Sequence, residues 1–286
     1  MNDVAISIVS YNDAENISFL LKKISRFQFK PKIICIYDAF SEIQHTERLK
    51  CICRKYQGNL LIELHSTGRN VGYGDGHNYN VSYLKNFKGS DVIVIMNSDV
   101  SVTESAFWGC VKATSCGTAT MLSASNVENV PLYTHFELTG LRQKWRYCDI
   151  GTIQTDYLAG SFFAVSHADF LSVNGFEGEY FIYWEEVDFS LRLKDAGVYL
   201  QSLTTHTVIR EANSLRTQYN SIYYLIRNSF HFKSRIGNIR LHQLIFFLLE
   251  NFFRYTKWSL TQRTMRPIFE YIQGFSHGLI GRFGQK

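Results

Sequence analysis

The sequence predicts an α/β protein: a mostly parallel central sheet flanked by helices, followed by a helical C-terminal extension. Three observations carry this expectation. The first 125 residues or so alternate short apolar runs with helix-periodic stretches, the pattern of βαβ units. The runs are rich in Val and Ile and too short for helices. The last 70 residues or so lose the alternation and read as helices. A chain of 286 residues is long enough for one large domain or two small ones.

The elements follow in order. Val4–Val9 reads as a buried strand, and Ala14–Phe27 as a helix with Ile17, Leu20, Leu21 and Ile24 at helical spacing. Ile33–Tyr37 is a second strand, residues 43–56 a helix, and Leu60–Leu64 a third strand. A helix over about 76–87 leads to the strand Val92–Met96. Residues 126–156 are polar and read as irregular. Strand, helix and strand return at Tyr157–Val165, Glu186–Ala196 and Val198–Ser202. In 241–253, Leu241, Leu244, Ile245, Leu248, Leu249 and Phe252 form a stripe of helical period. That stripe either packs on the sheet or meets a membrane surface or a second subunit.

Composition narrows the class. The hydrophobic fraction is 45%, the aromatic fraction 15% and the charged fraction 19%, which excludes disordered, collagen-like and coiled-coil chains. No signal-peptide pattern follows Asn2 and Asp3, and no run reaches the ~18 uncharged apolar residues of a membrane span. The six Cys form no CxxC pair and read as reduced thiols of a cytosolic protein. Residues 1–205 hold 18 Lys+Arg against 22 Asp+Glu, while 206–286 hold 12 against 3. The basic tail also carries Phe246, Phe247, Phe252, Phe253, Tyr255 and Trp258, as expected of a nucleic-acid or anionic-membrane surface.

Ligands of open α/β sheets bind beyond the carboxyl ends of the strands. Ser10, Tyr11 and Asn12 follow the first strand, Asp38 the second, Asn70–Asn78 the third, and Asn97-Ser98-Asp99 the fourth. Gly72, Gly74 and Gly76 permit close backbone approach and lead into a helix whose free N–H groups favour phosphate. Their GxGxG spacing matches neither the P-loop nor the dinucleotide fingerprint, so a plain turn is the alternative. Asp99 suits a hard cation, Mg²⁺ or Mn²⁺, or else caps the helix starting near Thr103. Glu185, Glu186 and Asp188 form the densest acidic cluster, with Arg192 beyond. A helix starting near Glu185 puts Glu185, Asp188 and Arg192 on one face and Glu186 on another. Helix-dipole complementarity and an Asp188–Arg192 pair explain part of the cluster. Two adjacent Glu behind the aromatic run Phe181–Trp184 fit a raised carboxyl pKa and general-base work better. His206 is either structural or a metal ligand.

These residues, in this order, resemble the family 2 inverting glycosyltransferases of GT-A fold, most closely the bacterial rhamnosyltransferase-like subgroup. The resemblance covers about residues 4–210. Val9–Asn12 is similar to the opening nucleotide-contact motif, and Asp38 to the base-reading Asp. Asn70–Asn78 resembles the subgroup's glycine segment, and Asn97-Ser98-Asp99 stands at the DxD motif. Asp156–Ser166, with Ala159-Gly160-Ser161, resembles the acceptor-side strand. Asn174-Gly175-Phe176 with Tyr180–Arg192 resembles the signature around the catalytic base. The chain departs at Ser98 for Pro, at Glu185-Glu186 for Glu-Asp, and at Ala39 after Asp38.

The resemblance implies a catalytic domain over 1–210 and a helical extension over 211–286. It implies a nucleotide-sugar donor, dTDP-rhamnose or a UDP-sugar, bound by Ser10, Tyr11, Asn12, Asp38, Asn70, Gly72, Gly74, Asn78 and Asn97. Asp99 and His206 would hold the cation. Glu186 would be the base, Glu185 the runner-up, and Trp184, Asp188 and Arg192 would support the site. The acceptor would be a lipid-linked or oligosaccharide hydroxyl in O-antigen or capsule synthesis. Location would be cytoplasmic, peripheral on the inner membrane face through the basic helices, with a homodimer the other use of that surface. A sugar nucleotidyltransferase fits less well, because Ser10–Asp13 lacks a basic glycine-rich loop. Nucleic acid is not an expected partner, since no RRM or zinc finger occurs.

Overall fold

A computed structural model describes residues 3–84, 91–148, 151–210 and 215–286, the side chains of 215–218 excepted. The elements run β1 (Val4–Ser10), α1 (Ala14–Ile24), β2 (Ile33–Asp38), α2 (Ile43–Tyr56), β3 (Ile62–His65), α3 (Gly72–Leu84), β4 (Val92–Asn97), β5 (Val100–Ser101) and α4 (Glu104–Lys112). Then come β6 (Thr118–Ser125), β7 (Pro131–Tyr133), β8 (His135–Thr139), β9 (Arg142–Arg146), β10 (Thr152–Gln154), β11 (Phe162–Ser166), α5 (His167–Ser172), α6 (Glu185–Asp195) and β12 (Tyr199–Arg210). The chain closes with α7 (Leu215–Arg235), α8 (Leu241–Thr261) and α9 (Arg266–Leu279).

The main path of the sheet is β10-β12-β6-β11-β4-β1-β2-β3. β4, β1, β2 and β3 are parallel neighbours, β12 runs parallel to β6, and β11 is antiparallel to both β4 and β6. Parallel strands covered on both faces are apolar along their length. β2 and the first five residues of β4 are accordingly fully buried. α1 turns Ile17, Leu20, Leu21 and Ile24 inward, as their spacing predicts. Thr103 caps α4, its hydroxyl accepting the Ala106 N–H at 3.2 Å.

Three expectations change. Residues 126–156 are not irregular: they include β7, the β8–β9 hairpin and β10. The helix expected from 76 begins at Gly72, and residues 85–87 of that expectation lie outside the described residues. The strand expected to stop at Ser202 continues to Arg210, through an irregularity in its pairing with β6 between Leu203 and Thr207. Short polar strands with little apolar alternation explain the first miss, and the irregular register the last. The domain boundary expected at 210/211 abuts residues outside the description.

The C-terminal helices share the core of the sheet domain, which extends without a break from Val4 to Tyr271. Pro267 opens α9 at its first turn. A Cβ on Gly274 would collide with the Tyr223 carbonyl, so glycine lets α9 lie directly on α7. Arg227 of α7 is completely buried and donates to the Tyr180 carbonyl at 2.8 Å and to that of Gly284. Among the described residues, no helix is long and apolar enough to cross a membrane.

Candidate active site

A cavity of about 860 Å³ opens at the carboxyl end of β4. Asn97 ends that strand and donates its backbone N–H to the Ser161 carbonyl at 3.0 Å. Ser98 hydrogen-bonds the Asp13 carboxylate, so the turn is fixed. Asp99 lines the cavity, and its Oδ1 is buried without a hydrogen-bond partner. Such an orphaned carboxylate oxygen fits a Mg²⁺ or Mn²⁺ ion, which binds oxygen and often takes only one or two carboxylates beside substrate phosphates.

The start of α6 forms another part of the lining. Phe181, Tyr183 and Trp184 all have positive φ, at 65°, 68° and 78°. This sparsely populated backbone turns the chain sharply so that α6 begins at Glu185. Glu185 and Glu186 both line the cavity, and each has an enclosed Oε2 without a partner. Their separation onto different faces, expected from helical spacing, does not occur: at the first turn both carboxylates reach the same space. Burial lifts Glu185 well above the usual carboxylate range, and the Glu186 charge adds to it. Burial also raises Glu186, while the Arg210 charge holds it back. Buried, poised carboxyls of this kind are what proton transfer near neutral pH requires.

Asp188 and Arg192 lie further along α6, outside the cavity lining. Asp188 is fully buried and accepts from Arg192 at 2.7 Å and from Arg235 at 3.1 Å. Trp184 is buried and donates its indole N–H to the Leu225 carbonyl. Arg235 also pairs with Glu177 at 2.6 Å, so this base of the tail is drawn into packing. Glu177, Glu179 and His231 form an acidic–histidine cluster, away from the cavity that Asp99 lines.

The remaining expected residues stand elsewhere. Asp38 is buried and accepts from Ser41 and from Thr46 at 2.9 Å, within the loop after β2. Ser10 is buried with an unpartnered hydroxyl, Tyr11 is exposed, and Asn12 accepts the Glu42 N–H at 2.7 Å. The start of the glycine segment is engaged by protein partners. The Gly72 N–H donates to Asn70 at 3.0 Å and the Tyr73 N–H to the Phe181 carbonyl at 2.8 Å. Gly72, at φ 82°, lies where a Cβ would strike that same carbonyl. Gly74 and Gly76 are buried against Phe176 and Val9. Asn78 clamps Phe176, accepting its N–H and donating to its carbonyl, both at 2.8 Å. These residues join the loop before α6 to α3. Tyr73 is the one of them that enters the cavity, where its hydroxyl donates to the Gly160 carbonyl at 2.6 Å.

His206 is not among the residues lining the cavity of Asp99. It sits midway along the extended β12, against Gly109 of α4, and its Nδ1 hydrogen-bonds Thr205 at 3.0 Å. The residue that β12 delivers to the cavity is Arg210, in register with Val100 directly after Asp99. Reading the strand as ending at Ser202 hid Arg210.

The cavity extends beyond the carboxylates into an arm that the sequence did not disclose. Gln143 and Trp145 of β9 line one side and Glu250 and Asn251 of α8 the other. Arg142 bridges to Glu250 at 3.0 Å across the arm. Asn251 is 2% exposed, and its side-chain oxygen has no partner. Trp145 is 58% exposed and meets Tyr133 edge-on.

Comparison with known proteins follows this geometry. No protein-family model matches the chain. The rhamnosyltransferase WbbL of Escherichia coli (strain K12) is 29% identical over 233 residues, 73% of this chain and 84% of that one. Among solved structures, the mannosyltransferase PcManGT from Pyrobaculum calidifontis, in complex with GDP-Man and Mn²⁺, superposes with a TM-score of 0.64 at 12% identity, over 98% of this chain and 88% of that one. S. aureus TarS 1–349, in complex with UDP-GlcNAc, gives 0.61 at 14% identity, over 97% and 81%. GalNAc-T7 with UDP, GalNAc and Mn²⁺ gives 0.60 at 14% identity; the match covers 80% of this chain and 49% of that one. The fold is the GT-A fold, and these likenesses bear out the resemblance to the family 2 glycosyltransferases.

Proposed function

We propose that this chain is an inverting glycosyltransferase that moves a sugar from a nucleoside-diphosphate donor to an acceptor hydroxyl. One observation carries the reading. Asp99, Glu185 and Glu186, each with an enclosed carboxylate oxygen lacking a partner, converge on one cavity at the strand ends. A diphosphate donor needs cationic neutralisation on one side and a base on the other, and this arrangement suits both.

In the reaction, Asp99 would hold the Mg²⁺ or Mn²⁺ that neutralises the donor diphosphate. When bound, the ion offsets charge on the departing phosphate. Glu186 accepts the proton of the acceptor hydroxyl. The hydroxyl oxygen bonds to the anomeric carbon from the face opposite the diphosphate, and the bond to the phosphate oxygen breaks. Configuration inverts and no covalent enzyme intermediate forms. Glu185 is the runner-up base. Asp188 and Arg192 brace α6.

The donor favoured is dTDP-rhamnose, on the likeness to the E. coli rhamnosyltransferase. A UDP-hexose or UDP-galactofuranose would use the same framework. The arm between the β8–β9 hairpin and α8 suits a saccharide acceptor, with Trp145 offering a ring face and Asn251 a hydrogen-bond acceptor. A lipid-linked acceptor in O-antigen or capsule synthesis is favoured because α8 and α9 expose Leu241, Ile245, Phe246, Leu249, Phe253, Phe269 and Ile272 beside Lys257, Arg263 and Arg266. An apolar face rimmed with basic residues suits an anionic membrane surface, here the inner face of the cytoplasmic membrane. A second copy of the chain is the rival occupant. The test is a thermal-shift panel of dTDP-, UDP- and GDP-sugars with and without Mn²⁺, since a specific ligand stabilises by mass action. Selective stabilisation by one sugar nucleotide supports the reading, and a flat panel overturns it.

A further inference from the structure

We infer that Arg210 is the side-chain cation that receives the diphosphate of the donor, in the cavity that Asp99 and the carboxylate pair also line. The inference rests on the glycosyltransferase reading above and names a residue that the sequence motifs do not.

The geometry comes from β12. Its last residue, Arg210, is paired in register with Val100 of β5, and Val100 directly follows Asp99. The two strand ends therefore bring a guanidinium and the Asp99 carboxylate to one rim of the cavity. The Arg210 Nε–H is buried and has no hydrogen-bond partner, and among the described residues Arg210 is in no ion pair. Its charge reaches the Tyr133 hydroxyl, itself held by Ser161 at 2.6 Å, and partly offsets the rise that burial gives Glu186. A half-buried guanidinium whose Nε–H is enclosed and unpaired is well suited to an anion that completes it. Its planar fork matches two phosphate oxygens, as a histidine ring does not.

The chemistry follows. As the anomeric carbon–oxygen bond breaks, its electron pair stays on the terminal phosphate oxygen of the leaving nucleoside diphosphate. Arg210 donates hydrogen bonds to that phosphate, while the proton released by the acceptor goes to Glu186. The negative charge that develops on the leaving group is then met by Arg210, beside the cation that Asp99 would hold.

The test is binding, not turnover. Isothermal titration would compare dTDP, UDP and GDP with dTMP, UMP and GMP, with and without Mn²⁺, on the full chain. In Arg210→Gln the preferred diphosphate should weaken about 10- to 100-fold, the range for losing a hydrogen bond to a charged group. The matching monophosphate should weaken no more than about threefold. Arg210→Lys, which keeps charge and loses the fork, should fall between, and it carries the test if the Gln variant does not fold. Equal loss of mono- and diphosphate, or wild-type diphosphate affinity in either variant, overturns the role of Arg210. A wild-type chain that binds none of the six nucleotides overturns the donor reading itself.

Discussion

Trp184 donates its indole N–H to the carbonyl of Leu225 at 3.0 Å, which ties the residue before the two glutamates to α7. Three residues along α7, Asn228 completes the attachment. Its side-chain amide donates to the carbonyls of Tyr180, Ile182 and Tyr183 at 2.9, 2.8 and 2.8 Å. The loop so held contains three non-glycine residues at positive φ. Backbone of that kind costs on the order of 1–3 kcal/mol per residue and persists only where surroundings dictate it. The helical extension thus sets the position of the carboxylate pair.

The first prediction follows from that attachment. Asn228→Ala removes the side-chain donor from the Ile182 and Tyr183 carbonyls and should cost about 1–3 kcal/mol of stability. Urea denaturation measures it. Transfer should fall further than stability explains, because α6 loses its fixed start. A variant of wild-type stability and rate would mean that the loop holds itself.

The second concerns the base. Glu186→Gln keeps the shape of the side chain and removes its proton acceptor. Transfer should fall about 10²- to 10⁴-fold with donor affinity nearly unchanged. In the wild type, a base raised by burial should put the acidic limb of the rate profile above the ordinary glutamate range, with activity lost as pH falls through it. If Glu185→Gln is the crippled variant, the roles within the pair are exchanged.

Much of this site was legible in the sequence, and the reasons for the rest are physical. Strand-end residues such as Asp99 and the Glu185-Glu186 pair stand out because polar groups directly after apolar runs need a purpose. Arg210 was hidden by the irregular pairing in β12, which breaks alternation just where the strand passes His206. Asn251 and Trp145 were hidden because they enter the cavity only through tertiary packing of α8 and a polar hairpin. The glycines misled differently. GxGxG marks close backbone approach whether the neighbour is a phosphate or, as at Gly72, the Phe181 carbonyl. The apolar stripe of α8 was legible as a helix, but its division was not. Phe247 is buried against Trp184 and Trp258 is stacked on Tyr219, while Phe246 and Phe253 face outward.

The third prediction uses Glu185. A carboxyl whose folded pKa lies above its unfolded value stabilises the fold fully below the unfolded pKa, about 4.3. That contribution is lost as pH rises through the folded pKa. Glu185 is raised by burial and by Glu186. Glu185→Gln cannot ionise, so its Tm should exceed that of the wild type by more at pH 8 than at pH 5. Calorimetry at both values decides it, and a pH-independent difference would show that Glu185 is not a strained anion.

The fourth concerns the cation. Asp99→Ala removes the orphaned carboxylate oxygen at the end of β4 and leaves the buried strand intact. Mn²⁺ should no longer strengthen nucleoside-diphosphate binding, while the Tm without ligand stays close to wild type. A variant that keeps the full Mn²⁺ increment would separate Asp99 from the metal. Full wild-type turnover in excess EDTA would remove the metal from the reaction.

The last concerns the outer faces of α8 and α9. Phe246, Phe253 and Phe269 are each more than 60% exposed, Lys257 and Arg266 are exposed on the same pair of helices, and Arg263 is exposed in the turn between them. Each base adds roughly 1 kcal/mol near an anionic bilayer, an attraction that salt screens. The chain should sediment with phosphatidylglycerol-containing vesicles at low salt, less at high salt, and not with pure phosphatidylcholine. Replacing Phe246, Phe253 and Phe269 together by Ser should abolish sedimentation and leave Tm and nucleotide binding unchanged. Phe247→Ala is the control in the opposite sense: it should cost about 3–5 kcal/mol of stability, because that ring is core. Should the wild type ignore anionic vesicles and instead dimerise in ultracentrifugation, with the triple Ser variant monomeric, the face belongs to a second subunit. The basic rim would then have to be explained by something other than lipid.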